Sequence, residues 1–515
     1  MNPLRLPSLV ALPLIALIST VNLAGCAAAT PDASPRTEIA AGTLEGVWID
    51  EPEAGAIFRG VPFAAPPVGA LRWRAPAPVA AWSGLREARD FEPACMQGGY
   101  IEAWYANVAE SFGADRSDAP RPTGESEDCL YLNIWTPALD PEEPAPVLVY
   151  IHGGSYQGGW AYEPDYHGEA FVRNGVLVVS IAYRLGAFGY LAPEGGNPNL
   201  GLMDQLAALE WVRDNIASFG GDPHRVMIAG ESAGAAAVGT LLAVPAADGL
   251  IQGAISQSGG WEYDALGSAE AAREAFDRLA AELDGAPRDA NAEVVLAAAG
   301  AALGDYDFGP VVDGDFLPLE PSQRLADGSL INVPLIIGTN HDEWLSYLDP
   351  DAAGADIARW RARMGDELVD RLIAEAGEAG ALDRLETAEQ MRCPGYQLAD
   401  ALVRQGQAVY LYRFDRVRPG EFAQSLGAYH GAELPYVFDT HAGWIPTAAE
   451  DRELSGLMNA AWARFIRSGD PDLEGAADWP EFGATGEMLV WSDTLTATTP
   501  GDRDICAILD EAPSE

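Results

Sequence analysis

Residues 147–151 and 176–182 are apolar, rich in β-branched side chains and without polar alternation, so as strands both would be buried on two faces. A strand hidden on both faces needs helices above and below it, which restricts this part of the chain to a mainly parallel sheet flanked by helices. Residues 202–219 supply one such helix: Leu202, Leu206, Leu209, Val212 and Ile216 recur at helical spacing, with Asp204, Glu210, Arg213 and Asp214 elsewhere around the turn. Further strands are expected at 225–229, 254–256, 333–338 and 408–414. Between them, residues 264–304 and 352–392 are rich in Ala, Glu, Leu and Arg, good helix formers, and read as helical insertions above the sheet rather than as separate domains. Upstream, turn glycines in 42–60 flank short runs such as Ala56-Ile57-Phe58, which suggest hairpin strands, and the Pro-rich stretch 61–78 is a loop. The 515 residues exceed an average domain, but 48% hydrophobic residues and 14 tryptophans suffice for one large core.

The segment Gly230-Glu231-Ser232-Ala233-Gly234 follows the strand expected at 225–229 and opens into small residues that permit a helix at once. A strand, a G-x-S-x-G turn and a helix in that order lift a serine hydroxyl clear of the sheet, and the glycines remove side chains that would clash there. A serine hydroxyl is a weak nucleophile near neutrality, so a base must take its proton and an acid must orient that base. Beyond Ser232 the chain offers His341, His430 and His441. His430 is preferred, because its glycine-flanked loop comes shortly after the strand ending near Phe414. For the acid, Asp342 and Glu343 both follow the strand at 333–338, at the carboxyl end where such sheets place their chemistry, and spacing does not separate them. The turn after 147–151, His152-Gly153-Gly154-Ser155, offers backbone N–H groups to a developing oxyanion, and the amide of Ala233 at a helix start offers another. His152, which precedes the nucleophile, is read as structural.

The formal net charge is −46, and all 31 basic residues other than histidine are arginines. Such a surface repels nucleic acid, which sets that class of partner aside. At the N-terminus, Arg5, an apolar run from Leu9 and small residues leading to Cys26 read as an export signal over residues 1–25. Residues 26–41, rich in Ala, Thr and Pro, read as a flexible tether, and 42–515 as the folded domain. Without Cys26, four cysteines remain in an exported chain: Cys95, Cys129, Cys393 and Cys506. Disulfides are expected among them, and the sequence permits three pairings.

Eight segments, in order, resemble the type-B carboxylesterase and cholinesterase family: FRGVPFAAPPVGALRW, SEDCLYLNIW, VYIHGGSYQGG, AYRLGAFGYL, GLMDQLAALEWVRDNIASFGGDP, GESAG, GTNHDE and YHGAELPYVF. The likeness implies an α/β-hydrolase fold and hydrolysis of small-molecule carboxylic esters through an acyl-enzyme, with no cofactor and no metal. It implies Ser232 as nucleophile, Glu343 as acid and His430 as base, with Gly154, Ser155 and Ala233 as oxyanion donors. It further implies disulfides Cys95–Cys129 and Cys393–Cys506, and the ion pairs Arg72–Glu127 and Arg184–Asp204. Leu23-Ala24-Gly25-Cys26 resembles a bacterial lipobox, which implies lipid attachment at Cys26 as the sole membrane contact and an outer-membrane anchor; without it the protein is secreted. Trp344 departs from the glycine usual after the acid, and the long loop before Cys129 leaves the role of Trp104 open. Two alternatives stay open: a non-catalytic binding member of the same fold, and a hydrolase of amides, carbamates or thioesters.

Overall fold

The computed structural model describes residues 34–50, 54–259, 266–349, 351–420 and 423–511. The expected signal segment and Cys26 lie outside them. Among the described residues, eleven strands form one sheet. In chain order they are β1 (Val47–Trp48), β2 (Ala56–Pro62), β3 (Tyr131–Thr136), β4 (Ala145–Ile151), β5 (Leu177–Ile181), β6 (Gly221–Glu231), β7 (Gly253–Gln257), β8 (Leu335–Asn340), β9 (Val409–Phe414), β10 (Met488–Trp491) and β11 (Thr496–Thr498). Their order across the sheet is β11-β10-β9-β8-β7-β6-β4-β5-β3-β2-β1. The middle is parallel from β5 to β10, and antiparallel pairs close both ends. β4 and β5, the two runs expected to be hidden on both faces, are buried at every residue. This is the α/β-hydrolase architecture, with its large, mostly parallel sheet flanked by helices.

The strand expected at 225–229 extends in both directions. Gly221 already pairs with Ala145 of β4, and a register shift separates that contact from the regular ladder beginning at Val226. The expected tether is too long. Residues Arg36–Ile39 pair with Gly42–Glu45 in a small separate sheet that Leu85–Glu87 completes. Arg36 Nε donates to Glu45 Oε2 at 2.6 Å, Thr37 Oγ1 donates to Ser218 O at 2.5 Å and Ile39 is buried, so these residues are tied to the body rather than free to act as a tether.

Helices used below are α1 (Tyr100–Ser111), α2 (Leu200–Asn215), α3 (Ala233–Leu241), α4 (Ala269–Glu282), α5 (Ala292–Ala302), α6 (Ala353–Met364), α7 (Asp366–Thr387) and α8 (Cys393–Arg404). α2 buries Leu202, Leu206, Leu209 and Val212 against the sheet, and its Asp204 is buried too, held by Arg184 Nε and Nη2 at 2.7 Å each. Arg72 and Glu127 form the other ion pair that the resemblance implies. The first insertion is α4 and α5. The second is α6 and α7, broken at Gly377 and continued through a π-turn, Ala388–Arg392, into α8. Among the described residues no helix is long and apolar enough to cross a membrane.

Cys95 is bonded to Cys129 and Cys393 to Cys506. The second bridge joins residues 113 apart and ties α8 to the C-terminal helix Arg503–Glu511. Closing so long a loop restricts the unfolded chain most. Replacing Cys393 and Cys506 together by alanine is expected to lower unfolding free energy by about 2–4 kcal/mol, measured as a reduced midpoint in urea.

Candidate active site

β6 ends at Glu231 and α3 begins at Ala233, which leaves Ser232 as the whole of the turn, at φ 59° and ψ −130°. A side chain held at positive φ costs about 1–3 kcal/mol and persists only where its surroundings impose it. Here the imposition is steric. A Cβ on Gly234 would stand 2.1 Å from the carbonyl oxygen of Ile151, and one on Gly230 would stand 2.4 Å from the backbone of Gly234. The Ser232 amide donates to Gln257 O at 2.9 Å and fixes the turn against the end of β7.

The same tight fit brings β4's terminal turn to the serine. Gly153 packs so closely that a Cβ there would meet Glu231 O at 2.8 Å and Ser232 Cβ at 2.9 Å. Gly154, Ser155 and Tyr156 then run at φ 103°, 53° and 56°, a left-handed turn that curls back over the elbow. Gly154, Ser155 and Ser232 line one recess together. Ala233, the next residue, opens α3 with its amide on the same side as the helix dipole's positive end. His152 is buried between Tyr183, stacked at 4.4 Å, and its own loop, and burial pushes its imidazole down to about 4.

Geometry separates the two acid candidates. Glu343 is fully buried beyond the end of β8 and its carboxylate accepts three hydrogen bonds: from His430 Nδ1 at 2.7 Å, Ser258 Oγ at 2.6 Å and the Asn340 amide at 2.6 Å. Asp342 turns the other way. It pairs with His341 at 2.8 Å and accepts the Ala428 amide at 2.8 Å, so it clamps the loop that carries His430 without touching the ring. Although burial raises it, those bonds hold the Asp342 carboxyl below the usual range. His441 is bound to Ser455 Oγ at 2.7 Å and faces Arg418, away from the serine.

The other edge of the His430 ring meets a residue that sequence reasoning did not single out. Nε2 stands 3.2 Å from Glu231 Oε1, an electrostatic contact without hydrogen-bond alignment, and the ring makes no hydrogen bond to Ser232 Oγ. Ser232 and His430 line the same cavity. Burial disfavours charge on His430, but Glu231 and Glu343 outweigh it and raise the imidazole to about 9. Burial likewise lifts Glu231 to about 8, aided by Glu433 and Glu343 and opposed by His430. Beneath it, Glu433 accepts from Gln257 Nε2 at 3.0 Å and Asn340 Nδ2 at 2.6 Å, a third buried carboxylate in the same network. The signals for these residues were faint: a carboxylate at the variable position of the elbow motif, and polar residues 256–258 closing an otherwise apolar strand.

The cavity in front of Ser232 has a volume of about 370 Å³, with Leu266, Phe308, Val311, Trp344 and Met391 among its apolar walls. Such a site can add a hydroxyl to a carbonyl, hold the resulting oxyanion on backbone amides and pass a proton through one imidazole.

Known proteins share this architecture. The family model described as the carboxylesterase family matches residues 33–499. The fumonisin B1 esterase of Sphingopyxis macrogoltabida is 34% identical over 505 residues, covering 91% of this chain and 88% of that one. The para-nitrobenzyl esterase of Bacillus subtilis is 33% identical, covering 85% and 91%. Among solved structures, the carboxylesterase Est55 of Geobacillus stearothermophilus superposes with a TM-score of 0.78 at 33% identity, over 92% of this chain and 99% of that one. A PNB esterase structure gives 0.77 at 30% identity, over 93% and 100%.

Removing the negative charge at the Nε2 edge should make the imidazole a weaker base. For Glu231→Gln we expect the His430 titration, followed by NMR of labelled histidine, to move down by about one unit or more.

Proposed function

The chain belongs to the carboxylesterase family and is a carboxylic ester hydrolase, and on that premise we propose that it works as a serine enzyme with Ser232 as nucleophile, His430 as base and Glu343 as acid. The observation that carries this reading is the 2.7 Å bond from His430 Nδ1 to a fully buried Glu343, made beside a serine held at positive φ. A small-molecule ester enters the cavity and places its carbonyl carbon against Ser232 Oγ. The imidazole, once deprotonated, takes the hydroxyl proton at Nε2 as the oxygen attacks. Glu343 stabilises the imidazolium through Nδ1 and keeps the ring in the required orientation.

The tetrahedral oxyanion falls to the amides of Gly154, Ser155 and Ala233, where loss of one donor commonly costs about 3 kcal/mol of barrier. Collapse breaks the bond to the alcohol oxygen, which leaves with the proton from Nε2, and Ser232 retains the acyl group as an ester. Water, deprotonated by the same imidazole, attacks that ester, and its collapse restores the serine. Glu231 sits where it attracts the transferred proton to the ring in each step. The same reading extends to location: two disulfides fit an oxidising compartment, and residues 1–25 act as a signal with lipid joined to Cys26.

Ser232→Ala is expected to abolish hydrolysis of p-nitrophenyl acetate while thermal unfolding stays close to that of the parent. Glu343→Gln should lower kcat by about 10⁴, whereas Asp342→Asn, which only loosens the histidine loop, should cost about tenfold or less; equal losses would count against Glu343 as the acid. Cys26→Ser should move the cell-expressed protein from the detergent phase to the aqueous phase in a Triton X-114 partition.

A further inference from the structure

The turn that carries Glu343 begins at Asn340, the last residue of β8, and Asn340 is bonded to three parts of the site. Its backbone amide donates to Glu343 Oε1 at 2.6 Å, and its side-chain amide donates to Tyr429 O at 2.8 Å and to Glu433 Oε2 at 2.6 Å. The position of this one residue therefore helps set both Glu343 and the residue before His430. Its carbonyl faces the second insertion. There Arg392 Nη2 donates to Asn340 O at 3.1 Å and to His341 O at 3.3 Å, so one guanidinium holds two consecutive carbonyls at the start of the turn. Asp383 of α7 takes the far end, accepting the Trp344 amide at 2.8 Å. Glu343 is thus suspended between two residues of the insertion.

Arg392 is 2% exposed and ends the π-turn Ala388–Arg392. A guanidinium buried that far needs a counter-charge, and Asp502 supplies it by pairing with Nη1. Asp502 stands immediately before the C-terminal helix Arg503–Glu511, and its carbonyl accepts the Cys506 amide at 2.9 Å. The disulfide from Cys506 to Cys393 fixes this turn to the residue after Arg392. Burial raises the Asp502 carboxyl, but Arg392 and Arg384 outweigh it and hold the group below the usual range, so the anchor stays charged near neutrality. Arg384 of α7 takes the other oxygen, its Nε donating to Oδ1 at 2.6 Å, and continues to Glu375 at 2.9 Å. Two arginines share one carboxylate, and of the two Arg392 is the one bonded to the turn of the acid.

Resting on the catalytic reading above, we propose that Arg392 is a positioning residue for ester hydrolysis: held by Asp502 and the C-terminal helix, it fixes the carbonyls of Asn340 and His341 so that Glu343 stays aligned on His430 Nδ1. A guanidinium suits this role because Nη1 meets the carboxylate while Nη2 meets both carbonyls; a lysine ammonium can pair with Asp502 but has no rigid second arm for the turn. The same π-turn presents Gln390 and Met391 to the cavity, so the segment that lines the substrate's space also steadies the acid.

Arg392→Lys and Asp502→Asn, compared with Arg384→Lys in the full chain, test this with p-nitrophenyl acetate, thermal unfolding and NMR titration of labelled histidine. Arg392→Lys should lower kcat by about tenfold or more, with KM within about twofold of the parent. With Glu343 less well aligned, His430 loses part of what favours its charged form, and its titration should move down by about half a pH unit or more. Asp502→Asn, which releases Arg392 without touching the turn, should lower kcat likewise, and it carries the test if Arg392→Lys does not fold. Arg384→Lys should lower the unfolding midpoint yet keep kcat within about twofold and leave the His430 titration in place. A folded Arg392→Lys with the parent's kcat overturns the proposal. So does a loss of kcat in Arg384→Lys as large as in Arg392→Lys, or a fall in kcat with the His430 titration unmoved. Full activity in Glu343→Gln would instead remove the catalytic reading, a result independent of the arginine variants.

Discussion

Contact between the elbow and the end of β4 sets the site. With β4 and β6 paired in parallel, the carbonyls of Ile151 and His152 come within 2.1–2.8 Å of where a Cβ on Gly234 would stand, so only glycine fits. That close approach has two results. It forces Ser232 into its strained turn, and it brings the amides that follow β4 to the same place as the hydroxyl that follows β6. The turn at Ser232 and the turn of Gly154 and Ser155, some eighty residues apart in sequence, meet because two neighbouring strands end level with each other.

Around that steric frame the electrostatics are unusually one-sided. Glu231, Glu343 and Glu433 gather near one imidazole, and among the described residues no arginine lines the cavity. Buried carboxylates are costly unless hydrogen-bonded, and the structure meets the cost with donors from Ser258, Asn340 and Gln257 at the ends of β7 and β8. Glu343 accepts hydrogen bonds from His430, Ser258 and the Asn340 amide. Burial raises Glu231 instead, with Glu433 and Glu343 adding to the shift and His430 opposing it.

Outside the sheet, the parts that shape the cavity are the least regular. α1, the 345–347 loop and the π-turn that presents Gln390 and Met391 belong to segments between strands, where insertion leaves the β4–β6 geometry untouched. The disulfides act on these same segments. Cys95–Cys129 closes the long loop that carries α1, and Cys393–Cys506 anchors the helix following the π-turn. Regions with the weakest intrinsic reason to fold in one way are the ones covalently fixed.

Much of this was legible in the sequence, because the relevant forces are local. Unalternating apolar runs dictate strands covered on both faces, and β4 and β5 are buried throughout. Glycines at 230 and 234 imply a close approach before its partner is known. What stayed undecided depends on direction in space. Asp342 and Glu343 are adjacent and chemically alike, and only the turn after β8 determines that one reaches His430 and the other Ala428. Glu231 occupied a position where the motif accepts any residue, and its proximity to the imidazole comes from the loop at 426–435 folding back across the sheet. The tether boundary failed for the same reason, since pairing of Arg36–Ile39 depends on a partner strand and on Glu45. Sequence determined which residues could be strand, turn or nucleophile, because those choices rest on backbone sterics and burial; tertiary structure decided which charges face each other, because that follows from where distant strands end.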